Sequence, residues 1–334
     1  VSTNTVLTSF TLPGITSVGG DVVVRDNVAL TSFTLPDLAS VSGLRVDLNT
    51  ALTSFEFPAL ISVNSYVLVR QNPALTLFSL PLLEGVSGDL QLSSSALTSF
   101  VLPELTLVEG DFEVSQNSML TAFVLPKLAT VVGALSVSGN PVLASFGLPE
   151  LTSADGGLGV GGNATLTAFA LPKLTLAGTL ADTLAVSDNP ALTSFSLPVL
   201  TTAANLGVGR NALLTSFDFP ALTSVSSLIV SKNKVLTSFS LPVLTSVGGD
   251  LEVSTNAALT SFTLPELTSF GGVLKFFKNA FLPQCLVDAL VAQLQAAGGI
   301  GAYIDTAGNN EACTCEEVDG EVVVDVVQRE RDLM

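Results

Sequence analysis

Three cysteines, Cys285, Cys313 and Cys315, are the only thiols in this 334-residue sequence, and it has no histidine to activate or accompany them. Without histidine, a Ser–His or Cys–His nucleophilic pair cannot be assembled. A tetrahedral zinc site likewise runs out of ligands at the Cys313-x-Cys315 pair. The spacing fits a structural disulfide better: Cys285 with Cys313 or with Cys315, leaving one thiol over that is open to pairing between molecules. Such a bond implies an oxidising, extracytoplasmic compartment, so a secreted or surface-displayed chain is expected.

The carboxylates give no better case for catalysis. Between Asp305 and Asp332 nine of them stand against Arg329 and Arg331. That stretch reads as a solvated acidic tail, since no calcium-loop spacing occurs in it. Glu113 and Glu252 share one outward strand position but lie six repeats apart, roughly 29 Å at the spacing of adjacent strands. Carboxylate pairs that cleave glycosides stand within about 10 Å of each other. No glycine-rich phosphate loop opens a helix. The expectation is a chain that is not an enzyme and needs no cofactor or metal, with a carbohydrate-active enzyme as a remote alternative.

Charge narrows the partners. Against 12 basic residues stand 29 acidic ones, a net −17. No basic stripe is present to neutralise phosphates or anionic lipids, so neither nucleic acid nor a membrane surface is an expected partner. No apolar run reaches 18 residues, so membrane insertion is not expected either.

What must position these groups is a repeat. L-T-S-F-x-L-P recurs twelve times, its first leucines running from Leu7, Leu30 and Leu52 to Leu259. Spacings are 22 or 23 residues, except for 26 between Leu166 and Leu192. A full unit reads L-x-V-x-x-N-x-x-L-T-S-F-x-L-P-x-L-T-S-V-G-G-D. One unit cannot close a core by itself, but stacked units bury a continuous one. The expected fold is mainly β: a right-handed parallel β-solenoid of about 12–13 leucine-rich-type coils, roughly 60 Å long, with a C-terminal helical cap. L-x-V reads as a half-buried strand and S-F-x-L as a second extended piece ended by proline; G-G-D reads as a turn. Phe10, Phe33, Phe55 and their equivalents through Phe262 should stack as a ladder.

Two polar columns stand out. The asparagines Asn27, Asn49, Asn72, Asn117, Asn140, Asn163, Asn189, Asn211, Asn233, Asn256 and Asn279, preceded by Asn4, occur once per coil. Only the fifth coil departs, with Ser94 or Ser95 at this place. Buried at a corner, each would bond backbone groups of its own coil and the next. The threonines Thr8, Thr31, Thr53, Thr76, Thr98, Thr121, Thr167, Thr193, Thr215, Thr237 and Thr260 form a second column, interrupted by Ala144. β-branched residues suit parallel strands, which explains that column structurally. A flat threonine array also looks like the water-ordering face of solenoid ice-binding proteins, which makes ice a conceivable partner.

The unit L-x-V-x-x-N-x-x-L resembles the core of leucine-rich repeats. The longer L-T-S-F-x-L-P-x-L-T-S-V-G-G-D-L-x-V looks like the receptor L-domain type over residues 1 to 280. The resemblance implies an extracellular setting, as in receptor ectodomains and fungal cell-wall proteins. Receptor L domains have irregular coils and more cysteines, so a growth-factor-binding role does not follow.

Three segments are expected: 1–280 as solenoid, 281–315 as a helical, cysteine-containing cap, and 316–334 as an acidic tail with one strand at most. The cap helix should span Pro283 to Ala297, with Leu286, Leu290 and Leu294 on its apolar face. At the other end, Val1-Ser2-Thr3-Asn4 reads as a strand unit already in progress, which suggests a mature form or a fragment. The functional expectation is a structural, adhesion or binding module, self-associating or facing a protein or glycan surface.

Overall fold

The structure is a computed structural model that describes residues 1–179, 182–299 and 303–311, and for the backbone alone 314–318 and 321–325. It is a parallel β-solenoid of about 12 stacked coils followed by one helix, Gln284–Ala296. Each coil contributes three short strands, not the two read from the sequence. In the fifth coil these are Leu90–Ser93, Ser99–Val101 and Leu107–Val108.

Alternation explains the first strand. In Leu251–Ser254, Leu251 and Val253 are buried while Glu252 between them is half-buried. The third strand is only two residues long, often Ser-Val, too short to stand out beside the turn that follows it. Coils stack with like residues in register, as in Phe10↔Phe33 and Val24↔Val46. The first strands form one continuous 13-stranded sheet and the third strands a 12-stranded one, whereas the phenylalanine strands are split into sheets of five, four and three.

Inside, the leucine columns are buried from the second coil on, and the phenylalanine rings stack from Phe10 to Phe262 at centroid distances of 5.1 to 6.0 Å. Offset ring pairs of this kind contribute about 0.5–1.5 kcal/mol each beyond their buried area.

The asparagine column closes the corner after the first strand. Asn49 to Asn279 are fully buried. In every coil but those meeting at Ser95 the backbone N–H donates to the next coil's asparagine Oδ1, as Asn27 does to Asn49 at 3.1 Å. The side-chain Nδ2 reaches the other way, to the preceding coil's strand, as Asn49 does to Val24 O at 2.9 Å. The side chains also bond their own coil, as Asn49 Nδ2 does to Asp47 O, as expected, and they meet the next coil through its asparagine Oδ1, as Asn49 Nδ2 does at Asn72; the bond to the preceding coil's strand was not expected.

The residue before each asparagine adopts a left-handed backbone. Leu48 (φ 59), Gln71 (φ 56), Lys232 (φ 60) and Thr255 (φ 58) do so, as do Gly139 and Gly162. This conformation costs a non-glycine residue about 1–2 kcal/mol, and a β-branched one is the least suited to it. Thr255→Gly should therefore raise stability by about 1 kcal/mol after glycine's own chain entropy is subtracted. A shift of the urea midpoint to higher denaturant checks this; an unchanged or lower midpoint would show that the column carries no strain.

At the C-terminus the solenoid does not stop at residue 280. After the helix, Tyr303–Asp305 adds a thirteenth strand to the main sheet. Ile304-Asp305-Thr306-Ala307-Gly308-Asn309 is a further L-x-V-x-x-N unit with Ile and Thr replacing Leu and Val. Asn309 extends the ladder: its Oδ1 accepts from Asn279 N and its Nδ2 donates to Phe276 O. The helix takes the place of the second strand, burying Val287, Leu290 and Leu294. Gln293 Nε2 donates to the carbonyls of Leu264, Pro265 and Leu267, tying the helix to the last coil's proline corner.

Beyond it, 314–318 and 321–325 pair as an antiparallel hairpin, two strands where one at most was expected. Cys285 sits in the helix's first turn and is not a free thiol. Its expected partners, Cys313 and Cys315, have side chains outside the described residues.

Candidate interaction surface

Two of the solenoid's faces are wide enough to meet a partner. The first is the main sheet. Its outward positions start with charge: Arg25, Asp47 and Arg70 stand in register on neighbouring strands. Asp47 is nearly fully buried and takes a forked pair of bonds from Arg45, at 3.0 and 2.7 Å. That hydrogen bond holds the Arg45 guanidinium above its ordinary pKa. Further along, the outward residues shrink to Ser136, Gly159, Ala185 and Gly207. Glu113 and Glu252 each bond only a serine on their own strand, Ser115 and Ser254, and remain six strands apart.

The second face belongs to the phenylalanine strands. Phenylalanine points inward, and the residues on either side point out. The threonines Thr8 to Thr260 lie at its margin, all exposed as the repeat required. Most of their hydroxyls are not free donors, however. Thr31, Thr53, Thr76, Thr98, Thr193, Thr237 and Thr260 each donate Oγ1–H to the carbonyl of the preceding coil's threonine, at 2.9 to 3.3 Å. The bond is missing at Thr121 and Thr215, where the phenylalanine-strand sheet is interrupted, and at Thr167, which follows Ala144. With the hydrogen turned inward, the threonines offer the partner methyl groups and oxygen lone pairs.

Charge is nearly absent from this face. Across the threonine column and the two outward columns of the strand, Glu56 and Asp218 are the only ionisable residues. A typical soluble surface is about 25–35% charged. The acidic residues gather elsewhere, at the glycine turns (Asp89, Asp111, Asp250) and at the proline corner, where Glu104–Lys127 and Glu150–Lys173 form exposed ion pairs between adjacent coils. Exposed pairs of this kind contribute about 0–1 kcal/mol and set no specificity alone.

A second threonine row, Thr106, Thr152, Thr175, Thr201, Thr223, Thr245 and Thr268, also donates inward to the preceding coil. It leads into the third strands, so the two rows belong to different sheets and do not form one broad array.

An open groove of about 420 Å³ lies along the third strands, lined by Leu176, Ala203, Ala204, Val225 and Ser226. It arises where coils nine and ten lack the G-G-D bulge, reading Ala203-Ala204-Asn205 and Val225-Ser226-Ser227 instead. No ionisable group lines it. Among the described residues no three His, Cys, Asp or Glu side chains converge as metal ligands would.

The surface was only partly legible. The threonine column was visible at once, but not that its hydroxyl hydrogens are consumed internally. The charge depletion of the whole face was missed, although a tally of charges by repeat position would have found it. No protein-family model matches this chain, and no curated protein matches it, so what is established is the architecture itself, a parallel β-solenoid.

Proposed function

We propose that the chain is a non-enzymatic extracellular rod that acts as a structural, adhesion or binding module through its phenylalanine-strand face. The near absence of charge on that face, in a chain of net −17, carries the reading. Like-charge repulsion keeps the rest of the surface apart from acidic partners. An uncharged, flat, acceptor-bearing strip suits a broad neutral partner, a protein or a glycan surface with hydroxyl donors, better than a small molecule that must be enclosed. The frame L-x-V-x-x-N, with its asparagines buried, supports reading the coils as leucine-rich ones of the receptor L-domain kind.

A glycan and protein-partner screen finds the ligand, and charge insertion locates its site. The triple variant Thr167→Lys, Ser194→Lys and Ser216→Lys should weaken binding at least about tenfold, or 1.4 kcal/mol, with unchanged circular dichroism. Ser138→Lys with Ser187→Lys, on the main sheet, should leave it intact. The reverse pattern would sink the assignment to this face.

A second reading, ice binding, is favoured by the exposed threonine row alone. Thermal hysteresis lost on replacing Thr193, Thr215 and Thr237 with bulky residues would establish it; no hysteresis in the parent protein removes it. Self-association predicts longer particles in negative stain as concentration rises, and single rods at every concentration would exclude it.

A further inference from the structure

Asn163-Ala164-Thr165 is the only Asn-x-Ser/Thr triplet in the sequence, the acceptor signature for N-linked glycans. Its asparagine belongs to the buried ladder and is fully enclosed. Nδ2 donates to Val137 O at 2.9 Å and to Asn189 Oδ1 at 3.3 Å. Oδ1 accepts from Asn140 N at 3.1 Å and from Asn140 Nδ2 at 3.3 Å. Both Nδ2 hydrogens are used, and no space adjoins them. A sugar on Nδ2 would replace one hydrogen and could not be housed.

The column two residues beyond the ladder shows the same conflict. It lies at an exposed corner, with Val6 at 80%, Phe281 at 63%, Met119 at 52% and Leu213 at 50% exposure. Serine or threonine would be well tolerated there by folding alone. Apart from Thr165, the residues two beyond the ladder asparagines of the coils are alanine, valine, methionine, leucine or phenylalanine. One residue beyond the asparagine, where a hydroxyl creates no acceptor, Thr5, Thr50 and Ser118 occur freely.

We infer that Asn163 is an N-glycosylation acceptor only in the unfolded chain, and that its modification and closure of the solenoid exclude each other. In the transfer, the bond between the first sugar's anomeric carbon and a lipid-linked pyrophosphate breaks. The carbon–Nδ2 bond forms, the lipid pyrophosphate leaves, and one Nδ2 proton is lost. During synthesis Asn163 stays exposed until Asn189, its partner in the next coil, has emerged. Whether the native cell presents the donor rests on the extracellular reading above; the experiment supplies its own secretion signal and is independent of it.

Three chains are secreted from a glycosylating eukaryotic host: the parent, Thr165→Ala, and Ala258→Thr, which makes Asn256 an acceptor as well. Peptide mass spectrometry should find the glycan on Asn163 in the retained, aggregated pool and not in the secreted folded pool. Thr165→Ala should raise the secreted yield severalfold. Ala258→Thr should lower it, inhibition of oligosaccharide transfer should restore it, and the same variant made in bacterial cytosol should melt at the parent's temperature. A protease-resistant secreted protein bearing the glycan on Asn163, no glycan in either pool, or an unchanged yield of Thr165→Ala would each overturn the inference.

Discussion

Asn211→Ala is expected to destabilise the solenoid by about 3 kcal/mol, because a buried backbone N–H loses its acceptor and a buried carbonyl loses its side-chain donor, and an unmade buried bond costs about 1–3 kcal/mol. Asn189 N–H, now bonded to Asn211 Oδ1 at 3.1 Å, would have no acceptor. Val186 O would lose the side-chain donor it now has in Asn211 Nδ2 at 2.8 Å. The cavity left by the missing amide adds to this, since the site is fully buried and water does not reach it.

Stacked repeats interact with nearest neighbours, so the damage should be local. Hydrogen exchange should quicken in the coils holding Asn189 and Asn211 while the first coils keep their protection. Asn211→Asp gives a sharper signature. It keeps the acceptor for Asn189 N–H but points its second oxygen at Val186 O. Burial disfavours the charged form, raising the carboxyl pKa in the folded state above its unfolded value near 3.9. Stability relative to the parent is then fully present below the unfolded pKa and is lost as pH rises through the folded one. In the protonated form Oδ2–H donates to Val186 O and the bond is restored. Urea titrations at acid and neutral pH, each referenced to the parent protein, should show the deficit growing with pH. A loss under about 1 kcal/mol for Asn211→Ala would mean that the ladder is not what closes the corner.

The ladder was legible before any coordinates because twelve copies at a fixed period force like residues into one column, and a polar column at a buried corner has few ways to be satisfied. What stayed hidden follows from the same logic. The left-handed column before the asparagine is filled by Thr3, Asp26, Leu48, Gln71, Arg210 and others, with no common side chain to announce it. Only Gly139 and Gly162 hint at it. Unlike a buried side chain, a backbone angle leaves little mark when the exposed residue above it is free to vary. The final half-coil, Ile304 to Asn309, was missed because the helix displaces it 30 residues from Asn279, outside the 22–23-residue period. The binding face was the least legible, since its signal is a shortage of charge spread over many coils, and a motif search looks for residues that are present.

The fifth coil is expected to be where the rod opens first, and lengthening its corner by one residue should weld the two halves together. Val69 to Leu75 takes six steps around the asparagine corner; Leu92 to Leu97 takes five. The structure places Ser95 in the column and Ser94 in the left-handed position. Three consequences converge on the next coil. Asn117 Oδ1, buried, has no hydrogen-bond partner. The phenylalanine-strand sheet ends at Ser99–Val101 and restarts unpaired at Ala122–Val124. Phe100 and Phe123 tilt by 35°, where the stacked pairs on either side stay within 14°.

The main and third-strand sheets run through this joint unbroken. It is therefore a weak step in a continuous rod, the kind of place where sub-global opening begins. Another interruption, between Ser194–Ser196 and Ser216–Asp218, keeps its asparagine bond from Asn189 N to Asn211 and should open later. In the parent, amides of residues 117–124 should exchange faster than the equivalent residues 140–147. Ser95→Asn together with a proline inserted after it copies the Asn72-Pro73-Ala74-Leu75 corner. It should give Asn117 Oδ1 its donor, let the phenylalanine strands pair, and add about 2–4 kcal/mol from the recovered bonds. Unfolding followed by circular dichroism and by hydrogen exchange should then merge into a single transition. Equal protection on both sides of the joint in the parent, or a longer corner that brings no gain, would mean that the shortened turn is absorbed without loss of stacking.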